Sequence, residues 1–442
     1  MNNLCGRKVL AMECQPEEIN HPAVVLLPTM KEITDQLVQC LRCGQIQQKS
    51  KCQLPVGTYF CPSCIQLGRV SSNQSFYHIP EPKTSSRNVV FGWSGKLTTG
   101  QEKVSSELVL SIQRQESRLV WAVTGAGKTE MLFQSIHYAL KAGYRVGIVS
   151  PRVDVCLELF PRIQAAFPKE EIGLLHGKQE SVYHYTYLLV CTTHQLLRFY
   201  QAFDVLIIDE VDAFPFVDDK MLHFGVAQAL KRKHSCICLT ATPTKDQQKQ
   251  IKKKKLVVSL LPARYHRRML PVPKKIWFNH WYEKSLKSDW PKKLIKKVRE
   301  LLKKNDLIIF CPTIQLMPYI AELLKRLLPT YSLVTVHSKD LKRLEKVQQM
   351  REKNYRILIT STILERGVTF DGISVLVLGA NHRVFSTSTL VQIAGRVDRQ
   401  KKYTAGEVYF IHDGQSKAMK EAIQQIQRMN QLAIIKGLVD EV

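Results

Sequence analysis

At 442 residues, with 45% hydrophobic and 23% charged content, the chain matches the globular average in composition and exceeds one ordinary core in size, which excludes a fibrous or largely disordered protein and calls for two large domains plus a smaller unit. Sixty-four Lys and Arg against 38 Asp and Glu leave a net charge of +26, so a polyanion is the partner to expect, nucleic acid ahead of an anionic membrane surface. No apolar run reaches the roughly 18 residues of a membrane span, and the N-terminus has no charged-then-apolar leader pattern, so a cytoplasmic location is expected. In that reducing compartment the 12 cysteines read as metal ligands where paired and as core residues where isolated.

Residues 1–86 carry the pairs. CLRC at Cys40–Cys43 and CPSC at Cys61–Cys64 are separated by 17 residues, a spacing that lets two knuckles present four thiolates to one tetrahedral zinc ion, closed and structural rather than catalytic. Cys52 lies off this spacing and is assigned no ligand role. The stretch from His78 to Asn88, HIPEPKTSSRN, has the Pro, Ser and Lys content of a linker.

From residue 87 to 263, apolar runs alternate with helical patterns: LVWAV, RVGIVS, YLLVCT, FDVLIIDE and CICLTAT. Continuous runs of this kind fit parallel strands buried on both faces. The first run opens into AVTGAGKT, in which Gly125 and Gly127 permit a tight turn, so that the backbone of Thr124, Gly125, Ala126 and Gly127 faces phosphate oxygens at a helix N-terminus. Lys128 would reach the β- and γ-phosphates of ATP and Thr129 would ligate Mg2+. FDVLIIDEVDAF supplies Asp209 to hold the same Mg2+ and Glu210 to orient and deprotonate the attacking water. Asp212 either joins this site to the motifs of a second domain or is a solvated acid. Gln101, about twenty residues ahead of the glycine-rich turn, either reads an adenine edge through its amide or is a surface glutamine.

From 264 to 442 a second series follows: LIIFCPT, SLVTVHS, RILITST, SVLVLGA and EVYFIHD. KKLIKKVRELLKK reads as a basic amphipathic surface helix, and Trp277, Trp281 and Trp290 either stack bases or pack the domain. In QIAGRVDR, Arg396 and Arg399 are placed three apart on one face of a predicted helix, spaced to reach a γ-phosphate as arginine fingers, with Gln392 contacting either the same phosphate or the attacking water. His176, His194 and His337 stand alone and are given no metal role.

Together AVTGAGKT, DEVD, TAT at Thr240–Thr242, TSTILERGVTF at Thr360–Phe370 and QIAGRVDR resemble, in order, motifs I, II, III, V and VI of superfamily-2 helicases, while SPRVDVCLEL and TTHQLLR resemble the Ia and Ib elements that grip one strand. The resemblance implies an α/β fold of two RecA-like parallel-sheet domains in tandem, here behind a small N-terminal four-cysteine zinc module. It also implies ATP hydrolysis, Thr240 and Thr242 coupling the phosphate site to a strand, and Gly367 linking nucleotide to phosphodiester. TAT in place of SAT, and Gln392 where RNA-type DEAD-box proteins carry His, bring the chain closer to DNA translocases such as PriA. With its cysteine module the whole chain resembles the late-competence ComFA family of Gram-positive bacteria. That likeness implies a motor drawing transforming single-stranded DNA inward through the channel ComEC, with contact to ComFC and DprA and association with the inner face of the cell membrane. A duplex-unwinding helicase, and an ATP-gated assembly factor without processive movement, are the rival readings; unwinding of a tailed duplex and translocation past a roadblock separate them.

Overall fold

A strand between two layers of helices has no face for polar side chains, and the apolar runs become strands of that kind. Every residue of Val146–Ser150, Leu188–Thr192, Asp306–Phe310, Ile357–Thr360, Ile373–Val377 and Val408–His412 is buried. The structure, a computed structural model, describes residues 2–55, 57–82, 85–177, 183–399 and 406–440.

Among the described residues, one sheet has the order Val258–Leu261, Arg118–Ala122, Leu230–Thr240, Phe203–Ile208, Val146–Ser150, Leu188–Thr192, Ile172–Leu175. The pairings from Leu230–Thr240 through Ile172–Leu175 are parallel. A second, parallel sheet has the order Lys274–Trp277, Val408–His412, Ile373–Val377, Asp306–Phe310, Ile357–Thr360, Leu333–Val336. Each is the RecA-like arrangement expected. Ile172–Leu175, Val258–Leu261 and Lys274–Trp277 were not anticipated. All three are edge strands with mixed burial, so they lack the continuous apolar run that marks a central strand.

The chain divides into two compact units: Met1–Leu97 with Glu102–Val120 and Lys128–Ser259, and Thr98–Gln101 with Trp121–Gly127 and Leu260–Val442. In the second, helix Lys292–Lys304 buries Leu294, Ile295, Val298, Leu301 and Leu302 and turns its lysines outward, as its amphipathic pattern requires. Trp281 and Trp290 belong to that unit's core, which decides for packing at both, whereas Trp277 is exposed. Among the described residues no helix is long and apolar enough to cross a membrane.

The N-terminal region lies in the first unit. It forms two small antiparallel sheets, Val9–Leu10 with Ser75–His78 and Val25–Pro28, and Met30–Thr34 with Leu37–Cys40 and Ile46–Gln48. Its attachment is not the loose tether its composition suggested. Glu81 is buried and paired with the buried Arg145. Arg145 also donates to Tyr183 Oη, to Thr186 O at 3.1 Å and to Cys5 O at 3.3 Å, lies 4.3 Å from the Tyr185 ring centre, and Tyr185 donates to Glu81 at 2.9 Å. Pro and Ser content reported backbone character here but could not report the buried ion pair. Removing one partner of a buried pair strands the other charge. Arg145→Met is therefore expected to destabilise the first unit by about 3–5 kcal/mol, measured as an earlier denaturant midpoint for its transition, whereas Arg87→Met at the more exposed Arg87–Glu170 pair shifts it far less.

Candidate nucleotide site and metal centre

Because the central strands are largely buried, polar chemistry collects where they end. Asp209 and Glu210 follow Phe203–Ile208, Thr240 closes Leu230–Thr240, Pro151 and Arg152 follow Val146–Ser150, and Thr193 follows Leu188–Thr192. All are at the carboxyl ends of parallel strands, where ligands of open α/β sheets bind.

The glycine-rich turn adopts the backbone its sequence requires. Gly125 has φ +77° and Gly127 φ +72°, the left-handed region costly for any residue with a Cβ, and helix Lys128–Lys141 begins directly afterwards. Thr124 and Thr129 are buried. Gln101 is also buried, not a surface residue. Its Nε2 donates to Ala126 O at 2.9 Å and its Oε1 accepts from Thr98 N at 2.8 Å, so both ends of the amide are engaged with backbone, one of them in the glycine-rich turn itself.

After the apolar strand, Glu210 has φ +56°, an unusual conformation for a non-glycine residue that redirects the chain, and its N–H donates to Asp209 Oδ1 at 2.9 Å. Asp212 is buried rather than solvated. It accepts from Thr240 Oγ1 at 2.7 Å and from Thr242 Oγ1, while Thr242 N donates to Thr240 Oγ1 at 2.9 Å. DEVD and TAT thus form one hydrogen-bonded block, and the open question at Asp212 is resolved against the solvated acid.

In the second unit, helix Thr387–Ala394 is capped by Ser386, whose Oγ accepts from Thr389 N at 3.1 Å, and buries Gln392. The helix ends before the two arginines, which corrects their expected placement on one helical face. Gly395 is its C-cap and Asp398 has φ +51°, a left-handed residue that breaks helical periodicity. Arg396 and Arg399 are instead gathered by the TSTILERGVTF segment: Arg396 Nε donates to Glu365 O at 3.0 Å and Arg399 Nη1 to Thr369 Oγ1 at 2.9 Å. In that segment Gly367 has φ +72°, and Thr360 Oγ1 donates to Val336 O at 2.9 Å.

Sequence reasoning missed Arg264. Its buried guanidinium donates to Val397 O at 2.8 Å, Asp398 O at 2.7 Å and Gly395 O at 3.3 Å, collecting backbone carbonyls of the turn that follows the helix. His266 Nε2 donates to Asp398 O at 3.0 Å. Burial first, then the nearby Arg399 charge, pushes the Arg264 pKa down to about 10. No motif marks the position; its sole sequence cue is an arginine just after a short apolar stretch. Gly395 in the same unit stands against Thr124, and a Cβ there would collide with the threonine side chain, so close approach is the reason for glycine in QIAGRVDR.

At the other site the four sulfurs of Cys40, Cys43, Cys61 and Cys64 lie within 4.8 Å of one another, all buried. Cys40 to Cys64 is 3.8 Å and Cys43 to Cys61 is 3.5 Å. A tetrahedron with Zn–S bonds of about 2.3 Å has sulfur edges of about 3.8 Å, so the donor set fits zinc. Hydrogen bonds from Cys40, then Cys43 and Cys61, hold the Cys64 thiol far below the usual range, and Arg42 Nε donates to its sulfur at 3.5 Å. Cys52 is outside the group, with Sγ donating to Gln48 O at 3.3 Å.

Comparison with known proteins agrees with this geometry. Residues 94–245 match the family model described as type III restriction enzyme, res subunit, and residues 291–401 the helicase conserved C-terminal domain. The competence protein ComFA of Streptococcus pneumoniae is 43% identical over 92% of this chain and 93% of its own length, and that of Bacillus subtilis is 39% identical over 91% and 87%. The chain belongs to the ComFA family. It is an ATP-hydrolysing, superfamily-2 helicase-like enzyme associated with competence, and its motor domains imply ATP with Mg2+. More distantly, the DNA helicase RecG of Aquifex aeolicus is 26% identical over 70% of this chain and 40% of its own length. The fold is shared with Mss116p bound to single-stranded RNA and AMP-PNP (TM-score 0.55, 18% identity, 72% of this chain and 70% of the other) and with RecG bound to a three-way DNA junction (0.54, 17%, 78% and 47%).

The steric argument at Gly395 predicts that Gly395→Ala lowers ATP turnover of this ComFA-family enzyme by about tenfold or more, since small misplacements in a preorganised site are costly, with metal content unchanged. Steady-state ATPase assays beside zinc analysis check both.

Proposed function

We propose that the chain is an ATP-driven translocase on single-stranded DNA that draws transforming DNA into the cytoplasm. Thr124 to Thr129 cradle the triphosphate, with Lys128 on its β- and γ-oxygens. Thr129 and Asp209 would hold Mg2+, which would supply positive charge beside the transferring phosphoryl group. Glu210 orients and deprotonates water, Arg396 and Arg399 stabilise the γ-phosphate charge, and Gln392 contacts the same phosphate.

The observation that best supports a motor over a bare ATPase is the Asp212–Thr240–Thr242 block. An acid two residues from the catalytic Glu210 cannot shift without its threonine partners, so events at the phosphate are transmitted to neighbouring loops. Ser150–Leu159 and Thr192–Arg198 grip the sugar-phosphate chain, and alternating tight and loose grip through the ATP cycle gives net movement. Gly367 links nucleotide to strand in the second domain. The net charge of +26 suits a phosphate-lined partner. The family relationship makes ComEC, ComFC and DprA the partners to test, at the inner face of the membrane.

ATP hydrolysis compared with single-stranded DNA, duplex DNA and RNA at matched salt tests the reading. Single-stranded DNA is expected to stimulate most, and its affinity to fall with a log–log salt slope of about −0.7 per phosphate contact. Lys128→Ala and Glu210→Gln should each lose about a hundredfold or more in stimulated turnover. Equal turnover with and without DNA at low salt would sink the proposal.

A further inference from the structure

The metal centre has no role in the chemistry just described, yet its surroundings are specific. Leu197, from the short helix Thr193–Arg198, packs in one buried cluster with Cys40, Cys43, Cys61 and Cys64. At its C-terminal end this short helix and the residues after it are bonded to the N-terminal region. Lys8 N donates to Arg198 O at 2.8 Å, Tyr200 N to Gly6 O at 2.8 Å, and Arg198 Nη1 to Glu13 Oε1 at 2.8 Å. Behind it, helix Lys220–Ala229 completes the seat: Gly225 allows close approach to Leu197, and Gly44, just past the first cysteine knuckle, lies against Phe224. Gln228 is the rivet. Its Nε2 donates to Arg42 O at 2.7 Å, inside the CLRC knuckle, and its Oε1 accepts from Lys8 Nζ at 2.8 Å, which also donates to Leu41 O at 2.8 Å.

A six-residue helix has no stability of its own; its position is set by what it packs against. Here one side of the packing is a knuckle whose shape depends on four thiolates sharing one cation. We propose that the zinc centre is a positioning device for the strand-gripping segment Thr192–Arg198, so that metal occupancy sets the affinity for single-stranded DNA. The inference rests on the function proposed above, in which this segment holds the strand. It assigns the cysteine module an internal task on the motor rather than that of a docking tag. The phosphate-binding residues Lys128 and Asp209 follow other strands of the sheet, and nucleotide affinity is independent of the seam.

The test uses the full chain in four forms: wild type, Cys61→Ser, the seam variant Lys8→Met with Gln228→Leu, and all three substitutions combined. Zinc content, affinity for a fluorescent ATP analogue without DNA, and affinity for a labelled oligo-dT are measured on each. The seam variant is expected to keep about one zinc per chain and wild-type nucleotide affinity while binding oligo-dT roughly tenfold more weakly. Cys61→Ser loses the metal and at least as much oligo-dT affinity. In the combined form the seam changes add nothing further, because both act through the same segment and non-additivity is the signature of coupling. Wild-type oligo-dT affinity in the seam variant, or additive losses, would overturn the inference. Should Cys61→Ser fail to fold, the seam variant decides alone. Failure of wild type itself to bind oligo-dT would instead count against the proposed function, which keeps the two outcomes apart.

Discussion

A parallel strand covered on both faces leaves its polar residues nowhere to go except the loop at its end, and this constraint organises the molecule. Val146–Ser150, Leu188–Thr192 and Ile357–Thr360 bury every side chain, so the residues able to bind phosphate, activate water or grip a strand are displaced to one edge of each sheet. There they sit on backbone that the strands hold rigid. The left-handed conformations at Gly125, Gly127, Gly367 and Glu210 all fall in such loops. At Glu210, the one residue of the four with a Cβ, such a conformation is strained and persists only where the surroundings over-determine it; the hydrogen bonds from Glu210 N to Asp209 and from the threonines to Asp212 supply part of that determination.

Buried guanidinium groups are the second recurring device. Arg145 and Arg264 are both almost wholly inaccessible, but they are satisfied differently. Arg145 has a carboxylate and two tyrosines. Arg264 has the backbone carbonyls of Gly395, Val397 and Asp398, in the turn that follows a helix. Burial first, and then the Arg399 charge, lower the Arg264 pKa, while the Asp398 carboxylate opposes them.

Legibility in the sequence followed burial. Central strands announced themselves through uninterrupted apolar runs, and the order of the motifs along them gave the two RecA-like sheets. Edge strands such as Lys274–Trp277 did not, because half their side chains face outward. Phosphate-loop glycines were readable because their backbone demand is local. The arrangement of Arg396 and Arg399 was misread as helical because the left-handed turn at Asp398 depends on tertiary hydrogen bonds, among them those of Arg264 and His266 to its carbonyl, from more than a hundred positions away. Arg264 itself was invisible for the same reason. Glu81 was read as linker from its neighbours' composition, though its partner, Arg145, lies at the start of a strand far along the chain. Residues whose role is set by local backbone geometry could be found by pattern; those that work by closing long loops could not.

The same distinction applies to the N-terminal module, whose four buried cysteines are grouped as a metal site requires. Its sheets consist of strands two to five residues long, too short to enclose a core, and several of its apolar residues, Met12, Leu26 and Ile65 among them, remain exposed. Packing alone would leave such a module plastic. Non-local anchors add to its small buried clusters: the Arg145 cluster, which ties the segment after the module to the first sheet, the seam of Lys8, Arg42 and Glu13 with Gln228 and Arg198, and the cysteine cluster that packs with Leu197. Attachment is thus spread over the ion pair and the hydrogen bonds to Arg198 and Gln228, and on the positioning proposal a metal would set the form of the surface that meets Leu197; attachment and shape are separable properties of one small region.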